Sequence, residues 1–204
     1  MSVSNTKRAD LKRRSAGPSN GRLFIVSAPS GAGKTTLCNA LRNRFKDLAY
    51  SISYTTRAPR PEERHGRDYH FIDKDEFERG IAGNRWAEWA TVHGHYYGSS
   101  AKWVDETLKS GADILMDIDV QGARQIVARF PLAVTIFILP PSLDELERRL
   151  QLRATDDAAT VALRLANARE EVRSKDQYHH VVINDDLDRA VSQLMGIVQG
   201  HRDS

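Results

Sequence analysis

The sequence predicts an α/β protein whose core is a parallel sheet flanked by helices, and three observations carry that prediction. Four apolar runs (residues 23–28, 112–119, 133–139 and 180–184) are too continuous for half-exposed strands and suit strands covered on both faces. Helical periodicity fills the gaps between them, as with Leu37, Leu41 and Phe45 at i, i+4 and i+8 after the first run. A stretch of small residues, Ser27-Ala28-Pro29-Ser30-Gly31-Ala32-Gly33-Lys34-Thr35-Thr36, joins the first strand to the first helix.

Taken in chain order, the first strand covers 23–28 and the first helix 34–45. Ser100 caps a helix that runs to Gly111, and a further helix over 120–130 is stopped by Pro131. Ser142 and Glu145 form an S-x-x-E capping box behind Pro140-Pro141. A helix from about Asp157 passes Leu165 towards Val172, and the last helix carries Leu187, Val191, Leu194 and Val198 on one face. Two segments break this rhythm. Residues 51–92 hold the short strand-like pieces SISYTTR, DYHFI and WAEWATV with one helix near 75–81, so an inserted lobe is placed at about 51–98. Residues 144–175 read as helix–loop–helix, dense in arginine.

Composition bounds the function. A chain of 204 residues, 40% hydrophobic, buries one substantial core. No apolar run approaches 18 residues, so no membrane span is expected. The single cysteine, Cys38, rules out an intramolecular disulfide and suits a reducing cytoplasm. The basic pI of about 9.1 has a local origin. Residues 1–22 carry six Lys/Arg against Asp10 alone, a net of +5, and the whole chain is +3, so the remainder is −2. Residues 1–21 therefore read as a disordered basic leader, and no nucleic-acid surface is expected. Oligomeric state is not readable from the sequence.

Residues 28–35 match the phosphate-binding pattern G-x-x-x-x-G-K-[ST], with Ala28 in the first glycine's place. Gly31 and Gly33 let successive backbone N–H groups turn towards phosphate oxygens, and the following helix adds the positive end of its dipole. Lys34 reaches the β and γ phosphates, and the Thr35 hydroxyl is a Mg²⁺ ligand. A dinucleotide motif would need Gly or Ala at Thr36.

Beyond this loop the chain carries a series of motifs in order across residues 22–200. They are Ser51 to Arg60 (SISYTTRAPR), Tyr69, Glu88, Tyr96-Tyr97-Gly98-Ser99, Asp117 to Gly122 (DIDVQG), Ile138 to Ser142 (ILPPS) and Ile183-Asn184-Asp185-Asp186. In this series the chain closely resembles the guanylate kinase family. The resemblance implies a P-loop kinase fold in which the inserted lobe, of mixed β structure, binds a nucleoside monophosphate and residues 144–175 form a helical lid. It implies transfer of the γ-phosphoryl of ATP to GMP, and also to dGMP, with Mg²⁺ as cofactor.

The residue roles are carried by the same resemblance. Ala28, Pro29, Ser30, Gly31, Ala32, Gly33, Lys34, Thr35, Thr36 and Asn184 are the expected ATP contacts. Arg57, Arg60, Tyr69 and Tyr97 are the expected clamp on the acceptor phosphate, a dianion suited to paired guanidinium groups. Glu88 is expected to accept the neighbouring N1–H and N2–H of guanine, a pairing that adenine cannot offer. Ser53, Ser99 and Asp119 complete that pocket, and Asp117 is placed in the Mg²⁺ shell and among the GMP contacts. Lys34, Arg57 and the lid arginines Arg149, Arg153 and Arg164 are the expected catalytic charges. The chain departs from the family at Arg153-Ala154, where Arg-Gly is usual, which implies a stiffer lid hinge.

Two other classes fit the scaffold: a sugar-phosphate kinase, and a binding module descended from such kinases. Glu88 with Tyr97 argues against the first, and Lys34 with the lid arginines against the second. His93 and His95 have H-x-H spacing without a third ligand and read as non-metallic, and Trp86, Trp89 and Trp103 read as packing residues.

Overall fold

A five-stranded parallel sheet in the order β2-β7-β1-β8-β9 forms the core of the computed structural model, which describes residues 20–92, 94–152 and 158–203. Its strands are β1 (Leu23–Ser27), β2 (Ala49–Tyr50), β7 (Ile114–Asp117), β8 (Val134–Leu139) and β9 (His180–Ile183). All five residues of β1 are buried, because its two faces are both covered. Phe24 and Val26 point to one side, against α1 (Lys34–Arg44) and α7 (Leu187–Arg202) through Leu37, Leu41, Leu194 and Val198. Leu23 and Ile25 point to the other, against α3 (Ala101–Lys109) and α4 (Val120–Arg129) through Val104, Leu108 and Ile126. This two-sided burial is what the continuous apolar runs predict, but the fourth run departs from it: β9 is an edge strand whose Val181 and Ile183 are exposed while Val182 is buried. The strand β2 lies outside that reading, since a two-residue edge strand leaves no periodic signal.

A second sheet, in the order β4-β3-β6-β5, occupies the segment that breaks the alternation. It comprises β3 (Tyr54–Thr55), β4 (His70–Phe71), β5 (Trp86–Val92) and β6 (His95–Ser100), with α2 (Lys74–Ala82) packed by Phe77 under Trp86 at a ring separation of 4.5 Å. The last strand runs on to Ser100, beyond the expected limit at 98, and the Ser100 side chain caps α3 by accepting from the Trp103 N–H.

Helices α5 (Leu143–Gln151) and α6 (Ala158–Val172) meet through Leu146, Leu150 and Ala168. Only half of the expected capping box forms here. Ser142 Oγ accepts from the Glu145 N–H at 3.1 Å, but the Glu145 carboxylate turns to Arg148 and Arg149 instead of the cap. Two ready guanidinium groups are stronger partners for it than one backbone amide. Residues 1–19 of the expected leader, His93, and Arg153 with its neighbours to 157 lie outside the described residues.

Candidate active site

The phosphate loop follows from two glycines at the C-terminal end of β1. Gly31 and Gly33 have φ values of 92° and 94°, in the left-handed region that favours glycine. Space reinforces the requirement at Gly33, where an added Cβ would lie 2.3 Å from Asn184 Nδ2. That amide donates to the Ala32 carbonyl at 2.8 Å, and the Asn184 carbonyl in turn accepts from Arg149 at 3.1 Å. Asn184 is thus a brace behind the loop, tying it to α5.

A cavity of about 600 Å³ opens in front of the loop and runs to the second sheet. The end nearest the loop is lined by Ala28, Pro29, Ser30, Gly31, Gly33, Lys34, Thr35 and Thr36. Ala32 is fully buried, and neither it nor Asn184 reaches the lining. Lys34 Nζ lies 2.6 Å from Asp117, the last residue of β7, and donates to the Ile118 carbonyl at 3.1 Å. Burial acts to lower the Lys34 pKa, but the adjacent Asp117 carboxylate outweighs it and the net shift is upward. The ammonium is therefore held charged, tethered to the end of β7.

Asp119 caps α4 by accepting from the Gly122 N–H at 2.8 Å, and with Asp117 it forms one wall of the cavity. Ser53, Arg60, Tyr69, Glu88 and Tyr97 line the far end. Glu88 is 4% exposed, and Ser99 Oγ, fully buried beneath it, donates to Glu88 Oε1 at 2.6 Å. The other carboxylate oxygen lies so close to Gly122 that a Cβ there would approach it to 2.4 Å. Burial raises the Glu88 pKa from 4.5 to about 7; the Ser99 hydrogen bond opposes the rise and the Asp119 charge adds to it. A buried carboxylate poised to ionise at neutral pH suits a ligand that brings its own donors.

The two clamp arginines behave differently. Arg60 is exposed and faces the cavity, whereas Arg57 is not among the lining residues. Arg57 donates through Nε to the Tyr97 hydroxyl at 3.1 Å and through one terminal nitrogen to both Glu63 oxygens at 2.8 and 2.9 Å. Its other terminal nitrogen donates to the Ala58 carbonyl at 2.7 Å. Glu63 also accepts from the Arg60 backbone N–H at 2.8 Å. Arg57 in this conformation orients Tyr97 and is itself held by Glu63, a residue that sequence reasoning missed because it lies past the Pro61 turn.

Of the lid arginines, Arg164 lines the cavity with Asn167 and Glu171, while Arg149 faces Glu145 and Asn184. Arg164, Asn167 and Glu171 recur at i, i+3 and i+7, one face of α6, a periodicity by which Asn167 and Glu171 were legible in the sequence. Burial raises the Glu171 pKa, with the Lys34 charge opposing it.

Comparison with known proteins covers both sheets. The profile of the family described as "Guanylate kinase" matches residues 20–201. The chain belongs to the guanylate kinase family. It is 53% identical over 182 residues to the guanylate kinase of Nitrosospira multiformis, spanning 89% of this chain and 87% of the relative. It is 49% identical over 179 residues to that of Dechloromonas aromatica, spanning 88% and 89%. The solved guanylate kinase of Anaplasma phagocytophilum superposes with a TM-score of 0.74 at 30% identity, over 90% of this chain and 87% of the other. The guanylate kinase match thus spans the phosphate loop, the second sheet and the α5–α6 pair together.

Proposed function

We infer that this guanylate kinase family member transfers the γ-phosphoryl group of ATP to GMP, giving ADP and GDP. The observation that carries the reading is a phosphate loop and the buried Glu88–Ser99 pair facing each other across one cavity. ATP phosphates lie on the N–H groups of Gly31 and of Gly33 to Thr35, with Lys34 between the β and γ positions. A phosphate oxygen of GMP, held by Arg60, Tyr69 and Tyr97, attacks the γ-phosphorus in line as the bond to the β-phosphate oxygen breaks. The protein's task is positioning and charge stabilisation rather than covalent chemistry. Arg164 supplies positive charge from the lid side, and the second sheet and α5–α6 act as acceptor lobe and lid.

Thr35 and Asp117 present a hydroxyl and a carboxylate to the cavity, a hard-oxygen donor set that suits Mg²⁺. When bound, Mg²⁺ neutralises charge on the transferring phosphates. Because Glu88 reads the base and the clamp reads the phosphate, nothing in this assignment depends on the 2′-hydroxyl, and dGMP is proposed as a second acceptor. No helix among the described residues is long and apolar enough to cross a membrane. A cytoplasmic location is part of the proposal, supported by the lone buried thiol of Cys38.

The test is ADP release from Mg-ATP with GMP, AMP, CMP or UMP as acceptor. GMP should be preferred by about 10⁴-fold over AMP, the scale on which a site built around substrate donors rejects a ligand lacking them. A preference for any other monophosphate, or ADP release that needs no acceptor, overturns the assignment.

The raised pKa of Glu88 gives a second expectation. Guanine's donors need the ionised carboxylate, so GMP binding weakens as pH falls below about 7. At pH 7 binding should release about half a proton from this group, read by calorimetry in buffers of different ionisation heat. Glu88→Gln should lose that release while retaining any from the nucleotide phosphate. For folding the sign is opposite: with a folded pKa above the unfolded value of 4.5, the stabilisation is present below 4.5 and is lost as pH rises through about 7.

A further inference from the structure

Strand β5 is an edge of the second sheet, with β6 on one side only. Edge strands present unpaired N–H and C=O groups, which proteins cover or leave to water. At Trp89 they are covered by a single side chain. Gln125, from the second turn of α4, accepts from the Trp89 N–H through Oε1 at 3.1 Å and donates through Nε2 to the Trp89 carbonyl at 2.7 Å. A primary amide carries an acceptor and a donor on one planar group, so it copies the peptide of an absent neighbouring strand. A helix of the core sheet thereby makes a rung of the acceptor-binding sheet.

The position of that rung matters because of what flanks it. Glu88 and Ala90, on either side of Trp89, both line the cavity. Side chains alternate along a strand, so locating the Trp89 peptide locates the Cα from which Glu88 projects. The same helix meets Glu88 again one turn earlier, where Gly122 lies against its Oε2. Ser99 holds Oε1 from β6 at 2.6 Å. The carboxylate is thus held by Ser99 at one oxygen, closely backed by Gly122 at the other and, through Gln125, fixed at its backbone.

We propose that Gln125 is a positioning residue for base specificity: its amide rung on Trp89 sets the backbone from which Glu88 meets the guanine edge, and holds the acceptor sheet to the helix that Asp119 caps. The proposal rests on the reading of Glu88 as the base-reading group. A bidentate contact to N1–H and N2–H needs both oxygens in the plane of the base, so a displaced strand loses the outer contact, to the 2-amino group, first. Inosine monophosphate keeps N1–H and lacks the 2-amino group, and therefore reports that contact.

The test compares kcat and KM for GMP and inosine monophosphate, KM for ATP, and the thermal midpoint in wild type, Gln125→Met, Gln125→Glu and Glu88→Ala. Gln125→Met keeps the helix and side-chain length and removes the amide. It should raise KM for GMP about tenfold, the scale of one net hydrogen bond, lower the GMP-to-inosine-monophosphate ratio, and leave kcat and KM for ATP within about twofold. Gln125→Glu keeps the acceptor for the Trp89 N–H but sets a carboxylate against its carbonyl, and should shift the same ratio in the same direction. This second variant decides the question if the first fails to fold. A lower midpoint with an unchanged ratio makes Gln125 merely structural and overturns the proposal. If Glu88→Ala leaves the ratio unchanged as well, the base-reading assignment fails first; if Glu88→Ala moves the ratio and neither Gln125 variant does, only the Gln125 proposal falls.

Discussion

Lys34→Ala should lower kcat by roughly 10²–10³ while leaving GMP binding nearly intact. The ammonium sits on the phosphate loop, 2.6 Å from Asp117, and its charge is stabilised there. In the proposed reaction that charge stabilises the oxygens between the β and γ phosphates, where negative charge builds up as the bond breaks. The proposed acceptor end of the cavity has its own cation in Arg60, on the loop between β3 and β4, and does not need Lys34. Removing the lysine also leaves Asp117 without its partner beside the incoming triphosphate, so the loss includes repulsion as well as missing attraction. Steady-state kcat together with a calorimetric GMP titration separates the two effects. Weakened GMP binding with kcat spared would show that the two phosphate sites have been assigned the wrong way round.

Glu88→Ala should cost on the order of 3 kcal/mol in kcat/KM for GMP, roughly a hundredfold, and should relax the exclusion of AMP. The carboxylate is 4% exposed and held by Ser99 at 2.6 Å, so water does not screen the proposed contact with the base. Its removal strands two guanine donors in the pocket, which is the costly half of the change. It also removes the repulsion of the acceptor at N1 of adenine, so the GMP-to-AMP ratio falls by more than GMP turnover alone indicates. Measuring kcat/KM for both nucleotides in wild type and variant decides the matter. An unchanged ratio would falsify the base-reading role and move specificity to Ser53, Ser99 and Asp119.

The core of this fold is legible because the inner parallel strands, buried on both faces, leave continuous apolar runs, and the edge strand β9 carries such a run with Val181 and Ile183 exposed. The limits of β1, β7, β8 and β9 fall within two residues of those runs. The phosphate loop is legible for a related reason: two glycines ahead of a lysine and threonine at the start of a helix form a local device whose geometry depends little on the rest of the chain. Candidate contacts such as Glu88, Tyr69 and Arg60 were reachable only through resemblance, since an isolated glutamate in WAEWA carries no periodic or motif signal of its own.

Tertiary structure decided the rest, because the remaining contacts join residues distant in sequence. Lys34 meets Asp117, Asn184 braces Ala32, and Gln125 completes an edge strand at Trp89. Asn184 and Ala32, read as nucleotide contacts, lie behind the loop, and Arg57 is held by Glu63 outside the cavity lining. A motif states which residue types a site uses. Which of them face the cavity, and which hold the others in place, depends on the hydrogen-bond partners that folding brings within about 3 Å.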